Sequence, residues 1–222
     1  MNRNHKYSAL LISVMMIAAL ILCSCGGSAD TASKESDAQS YVKAMLDMMC
    51  LGDYDHSVKF EGIEEGEEAN ARDAMIDDAM GAIEGDISDE IRQEYKEALT
   101  EALSKTKYTV GKAEKTEDGG YDVTVTIEPL KLFAGINDSS EEMNELFPEN
   151  EDTSALTDEE LNNRFYGFMV KQMKEGLQDP VYGPAQEVVV HCNPSGDGEE
   201  VFSISDEDGA RLGELLLSTD TE

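Results

Sequence analysis

The chemistry this chain offers begins with its cysteines. Cys25 closes the stretch Leu22-Cys23-Ser24-Cys25, where an apolar run ends on a small residue and a thiol, and Gly26-Gly27-Ser28 opens a flexible polar tail behind it. Further on, Cys50 ends an apolar helical pattern and Cys192 ends a valine-rich strand pattern. Two free buried thiols, behaving as small hydrophobes, are one reading of this pair. A single bridge formed in an oxidising compartment is the other, and spacing does not choose between them. His56 follows the Gly52-Asp53 break and His191 lies far from it in sequence, so each reads as a surface or satisfied imidazole rather than half of a catalytic pair. The motifs G-x-S-x-G, H-E-x-x-H and G-x-x-x-x-G-K-[ST] do not occur, and no C-x-x-C follows Cys25. Asn193-Pro194-Ser195-Gly196-Asp197-Gly198 has the composition of a calcium loop, but position 12 of that register is Ile204, where the ion needs a bidentate Glu. The segment reads instead as a hairpin turn. No catalytic residue, cofactor site or metal-ligand set follows from the sequence.

What positions Cys25 is the run before it. Arg3 and Lys6 precede 14 residues, Ala9 to Leu22, broken only by Ser13. A membrane-spanning helix needs about 20 apolar residues, so this run reads as the h-region of a secretory signal. Its ending resembles bacterial lipoproteins, whose lipobox has Leu three residues before the lipidated cysteine and a small residue directly before it. Leu22 and Ser24 stand in those places for Cys25, whereas Cys23 is preceded by the larger Leu22. The resemblance covers roughly the first 28 residues. It implies removal of residues 1–24 as a signal peptide, a diacyl or triacyl Cys25, and a protein exported to the outer face of the cytoplasmic membrane. Each buried CH2 contributes about 0.8 kcal/mol to such an anchor. Residues 25–35 then read as lipidated cysteine plus flexible tether, with a reach of roughly 17 Å.

Loss of Arg3 and Lys6 with the signal leaves 15 basic against 48 acidic residues, a net charge of −33. A field of that sign repels phosphate backbones and anionic lipid, which disfavours nucleic acid as a partner and direct docking on the membrane surface. Cations or basic partners are favoured. Asn137 to Glu160 concentrates ten acids without one Lys or Arg, yet no ligand spacing in it matches a known loop. Divalent cations are expected to bind weakly at most, and the acids to act through general screening.

The remaining chain, residues 36–222, suits a single domain. Ser36-Asp37-Ala38-Gln39 has the form of a capping box and predicts a first helix from Ser36, burying Tyr41, Val42, Met45, Leu46 and Met49. A second helix is predicted over Glu64 to Glu84, with Ala69, Ile76, Ala79, Met80 and Ile83 on one face and Gly85 as its stop. A third starts at Ser88 and buries Ile91, Tyr95, Ala98, Leu99, Ala102 and Leu103. The period then changes to two. Lys107 to Lys115 and Tyr121 to Glu128 form a hairpin, the second arm alternating strictly, and Pro129 ends, bulges or edges it. A helical insertion near 137–176 follows, with a short helix carrying Met143, Leu146 and Phe147. A stronger one starts at the Thr157/Glu160 capping box, braced by Leu156 and Leu161, with Leu161, Phe165, Phe168, Met169 and Met173 as its stripe and Gly176 as its end. A second hairpin, Glu187 to Cys192 with Glu200 to Ser205, and a helix over Asp206 to Leu217 complete the chain.

This order predicts an α+β fold: three N-terminal helices, an antiparallel curved sheet of about four strands in two hairpins, a helical insertion between them and a C-terminal helix. Tyr41 to Lys59 (YVKAMLDMMCLGDYDHSVK) resembles the opening of nuclear-transport-factor-2-like (cystatin-like) domains, as found in lipoproteins of Gram-positive, clostridial-type bacteria. The resemblance implies a sheet curved into a cone with a pocket. The Asn137 to Glu175 block departs from that family's run of consecutive strands. Two functions of different class fit: a lipid-anchored binding or interaction module for an envelope protein, peptide or small ligand, or a small hydrolase or isomerase using a carboxylate buried in the cone. A buried Asp or Glu distinguishes them.

Overall fold

A helix that is apolar on nearly every side must be buried on nearly every side, and the first helix of the domain is placed accordingly. The computed structural model describes residues 31–53, 68–81, 85–134, 136, 141–142, 146–148, 152–194 and 202–218. Helix α1 (Thr31–Leu51) packs on strands β1 (Lys107–Lys115) and β2 (Tyr121–Glu128) with one face. Its other sides meet α2 (Glu68–Gly81) and α3 (Asp89–Ser104). The expected stripe of Tyr41, Val42, Met45, Leu46 and Met49 is buried, and so are Ala38, Ala44, Met48 and Cys50. Helix α4 (Asp158–Gly176) lies along α3. Helix α5 (Asp206–Leu216) covers β2 and β4 (Gln186–Pro194).

The sheet is antiparallel in the order β1-β2-β4-β5, where β5 is Phe202–Ile204. Two hairpins, a helical segment between them and a C-terminal helix are thus all present. Alternation along β2 is as the sequence dictates: Tyr121, Val123, Val125 and Ile127 are buried and the residues between them are half-buried. On β1 the parity changes, because the register shifts between Val110 and Ala113. Tyr108 and Val110 lean on the core before the irregularity and Ala113 after it. Gly111 sits in the shift, where a Cβ would come 3.0 Å from the Thr124 carbonyl oxygen. Glu128 ends β2 and Pro129 follows it outside the ladder, as a residue without an N–H should. Beyond it, Leu130–Lys131 (β3) pairs in parallel with Leu217–Ser218 (β6), a two-residue contact too short to leave any period in the sequence.

Several boundaries differ from expectation. Helix α1 begins at Thr31, so Ser36 lies inside it and is no cap, and the tether expected to run to residue 35 is shortened by the helix. Gln39, expected to complete that box, donates from Nε2 to the Val110 carbonyl of β1 at 3.4 Å. Helix α2 is described over Glu68–Gly81, inside the predicted Glu64 to Glu84, whose two ends lie outside the described residues, and Gly85, with φ +93°, lies beyond its last described residue. Ile76 and Met80 are buried as predicted; the side chains of Ala69 and Ala79, and Ile83, fall outside the described residues. On α4 the buried set is Tyr166, Phe168, Val170, Gln172 and Met173, while Phe165 and Met169 pack at the margin and Leu161 is half-buried. The stripe is rotated because α4 is met by α3 from one side, with Tyr166 edge-on to Tyr95 at 6.3 Å. Gly176 is the last helical residue and Leu177 is the cap. The short helix expected to carry Met143 lies mostly outside the described residues.

The capping box of α4 is complete. Thr157 Oγ1 accepts from the Glu160 N–H at 3.2 Å, and a Glu160 carboxylate oxygen accepts from the Thr157 N–H at 2.8 Å. Thr157→Ala orphans one of these donors and is expected to destabilise the fold by about 1 kcal/mol. A lower denaturant midpoint with unchanged slope is the predicted observation.

Candidate functional site

Cys25, the site residue singled out by the sequence, lies outside the described residues, as do His56 and the turn 195–198. Within the described residues the groups with chemistry to offer form three settings. The first is the pair of thiols, and both are free and buried. Cys50 sits near the end of α1 in hydrogen-bond contact with Thr106, and burial pushes its pKa up to about 11. Cys192 lies opposite Tyr121 and Ile204 at the far end of the sheet, and burial pushes it up to about 12. A thiol held protonated at neutral pH is neither nucleophile nor ligand. Cys50 lies on α1 and Cys192 on β4, and neither is bridged.

The second setting surrounds Asp47, which faces out of α1 toward β1. Tyr108 donates its hydroxyl to Asp47 Oδ1 at 2.7 Å, and Lys43 pairs with the same carboxylate. Burial and this carboxylate raise the phenol well above its usual range. Tyr108 therefore stays a neutral donor and serves to pin helix to strand.

His191 is the centre of the third setting. Strand pairing sets Glu114 opposite Asp122 and Asp122 opposite His191, on the sheet face turned from the core. The imidazole Nδ1 is 2.7 Å from Asp122 Oδ1, and Nε2 is 3.4 Å from Asp118 Oδ2 in the β1–β2 turn. The ring rests against Gly120, where a Cβ would come 2.7 Å from Nε2. Below it, Asp208 of α5 accepts from the His191 backbone N–H at 3.2 Å, a donor that β5 is too short to pair. Asp118 is itself held low, chiefly by the Thr116 hydroxyl and the Gly120 N–H. With both ring nitrogens facing carboxylates, the group is a structural ion cluster that ties turn, strands and helix together. It presents no nucleophile. Among the described residues no group of His, Cys, Asp and Glu has metal-site geometry.

This pairing has a pH signature. Hydrogen bonding to Asp122 is the largest cause raising the His191 pKa in the folded chain, whereas the unfolded imidazole titrates near 6.5. The stabilisation is complete below about 6.5 and is lost as pH rises through the higher folded value. For a partly exposed pair it amounts to about 0.2–1 kcal/mol. Chemical denaturation between pH 6 and pH 8 is expected to show this loss in the wild type and not in His191→Gln. Identical pH slopes would remove the ion cluster from the account.

The sequence placed His191 on a strand as a surface or satisfied imidazole, and the structure shows it on β4, half-buried and paired with carboxylates. Sequence reasoning missed the carboxylates that satisfy the ring, because their approach depends on the register of β2 against β1 and β4. It also named a buried carboxylate as the mark of an enzyme, and among the described residues no Asp or Glu is buried; Thr106 and Gln172 are the buried polar side chains. A shallow groove of about 360 Å³ runs over the outer side of α2 and α3, where Arg72, Gln93, Lys96, Glu97 and Thr100 line it with mixed charge.

No family model matches the chain, and no curated protein matches it. Its fold is similar to that of a crystallised candidate lipoprotein, ycdA, of Bacillus subtilis, with a TM-score of 0.55 at 15% identity. The likeness covers 85% of this chain and 58% of the neighbour, so this chain spans well under two thirds of the neighbour's length. The shared property is the α+β fold itself, found in a protein described as a candidate lipoprotein.

Proposed function

We propose that this chain is an exported lipoprotein, held by acyl chains on Cys25 at the outer face of the cytoplasmic membrane, whose acidic domain is a non-enzymatic binding or interaction module of the cell envelope. The observation that carries the reading is the order of Arg3 and Lys6, the apolar run Ala9 to Leu22, Ser24 and Cys25. The likeness to the Bacillus subtilis candidate lipoprotein supports it. Among the described residues no helix is long and apolar enough to cross a membrane.

The interaction role rests on the chemistry of the domain. Its described thiols are held protonated, His191 is ion-paired, and none of its described carboxylates is buried. A cone-fold hydrolase or isomerase would need one of those carboxylates withdrawn from water. The partner is an envelope protein, peptide or small ligand of cationic or neutral character, because the net charge of −33 disfavours nucleic acid and other polyanions. Divalent cations associate weakly, as counterions.

Mass spectrometry of the protein extracted from membranes tests the anchor. The expected product begins at Cys25 and carries two or three acyl chains. A mature N-terminus elsewhere, or an unmodified Cys25, overturns the reading.

A further inference from the structure

We infer that the open edge of β4 at Glu187 and Val189 takes an extended basic peptide segment as an added strand, with an apolar side chain beside Val189 and, two residues further on, a Lys or Arg beside Glu187. The inference rests on the reading of the domain as an interaction module and names its surface and the class of its partner.

Hydrogen-bonding parity along β4 identifies the edge. The His191 N–H turns to Asp208 of α5 and so faces away from β2. The Cys192 carbonyl oxygen faces the β2 side, 3.0 Å from where a Gly120 Cβ would stand. Backbone groups alternate sides along a strand, so Val188 and Val190 face β2 while the N–H and C=O of Glu187 and Val189 point outward with those of His191. Strand β5 occupies that side only opposite Cys192, Asn193 and Pro194. Among the described residues, nothing pairs with the outward groups of Glu187 and Val189.

Helix α5 does not fill the gap. It starts at this edge, where Asp208 meets His191, and leads into Leu217, which pairs with Leu130. The other side of Leu130 is bridged to Tyr182, on the approach to β4. The helix therefore crosses beneath β4 and β2 to the far side of the sheet and leaves the rest of the β4 edge uncovered.

The opposite edge of the sheet is guarded in the ways that exposed edges usually are. Strand β1 carries exposed Lys107, Lys112 and Lys115, its register shifts between Val110 and Ala113, and its Val110 carbonyl already accepts from Gln39. From Gln186 to His191, β4 has no lysine, no proline and an even register with β2, and Val189 is 46% exposed.

The neighbouring side chains select the occupant. A strand added here exchanges N–H···O=C bonds with Glu187 and Val189 and sets the side chains directly opposite them on the same outer face. Val189 is matched by an apolar residue. Exposed Glu187 is matched by a cation, and exposed Glu207 and Glu214 of α5 and the net charge of −33 favour the same sign. A second copy of the chain would bring −33 against −33 and is disfavoured. In an antiparallel strand the cation follows the apolar residue by two positions.

Peptide binding tests the edge. Full-length acylated protein in micelles of a neutral detergent is titrated into dye-labelled Thr-Val-Thr-Lys-Thr, with fluorescence anisotropy as the readout. N-methylation of the peptide's Val and Lys removes the donors that face β4 and is expected to raise Kd about tenfold or more, whereas N-methylation of the Thr between them faces solvent and changes little. Val189→Pro deletes an outward N–H and no bond to β2, so it is expected to weaken binding likewise; the N-methylated pair decides the question on the unaltered protein if this variant unfolds. Equal affinity for the two N-methylated peptides overturns strand addition and leaves a module that holds basic peptides by charge alone. No binding of the parent peptide, in protein whose mass shows an acylated Cys25, overturns the edge site and leaves the anchor standing.

Discussion

Cys25→Ala is expected to move the protein from the membrane fraction to the soluble fraction. At about 0.8 kcal/mol per buried CH2, a diacyl or triacyl cysteine holds a protein firmly, whereas one chain of about 14 carbons binds marginally. Removing the thiol removes every acyl chain at once, so the partition changes by orders of magnitude rather than by a fraction. What remains is the run Ala9 to Leu22, whose 14 residues rise about 21 Å as a helix against a hydrocarbon core of about 30 Å. Cys23→Ala is the matched control, since Leu22 is too large for the position before the cut, and this variant should stay anchored. Fractionation with mass determination decides the matter. Retention of Cys25→Ala in the membrane at its unprocessed mass would identify the apolar run as an uncleaved anchor.

Local rules made part of this fold legible and tertiary packing made the rest. The Thr157/Glu160 box and the alternation of Tyr121, Val123, Val125 and Ile127 were readable because each is complete within a few residues and each matches the environment the chain finally provides. Ser36 and Gln39 show the limit of the same rule. Their spacing is that of a cap, but the helix continues upstream and Gln39 reaches a strand 71 positions away. The register shift between Val110 and Ala113 has the same character, since Gly111 is compatible with a bulge or with an ordinary strand until β2 is laid beside it. The ion cluster at His191 was invisible for a related reason. Asp118, Asp122 and Asp208 are three of 48 acidic residues, and nothing but the pairing of β1, β2 and β4 and the start of α5 selects them. The proposal for Cys25 rests on the other extreme, a linear setting read from the sequence alone.

The burial of α1 gives the second large effect. Helical spacing assigns Tyr41, Val42, Met45, Leu46 and Met49 to one stripe, and Met48, three residues after Met45, lies at its edge. The structure encloses Met48 completely, at 0% exposure, because α1 is packed between the sheet on one side and α2 and α3 on the others. Met48→Ala therefore loses the transfer free energy of a whole side chain and leaves a cavity that neighbours on several elements must close. The expected cost is about 2–5 kcal/mol, a large share of the roughly 5–15 kcal/mol that holds a domain folded. For a domain of this size each kcal/mol lowers the melting temperature by about 2–4 °C. Leu51→Ala, three residues on, provides the comparison: Leu51 is 48% exposed and its truncation should stay within about 0.5 kcal/mol. Thermal and denaturant unfolding of the two variants separate a helix laid on a surface from one threaded through the core. A Met48→Ala protein as stable as Leu51→Ala would place that side of α1 in solvent.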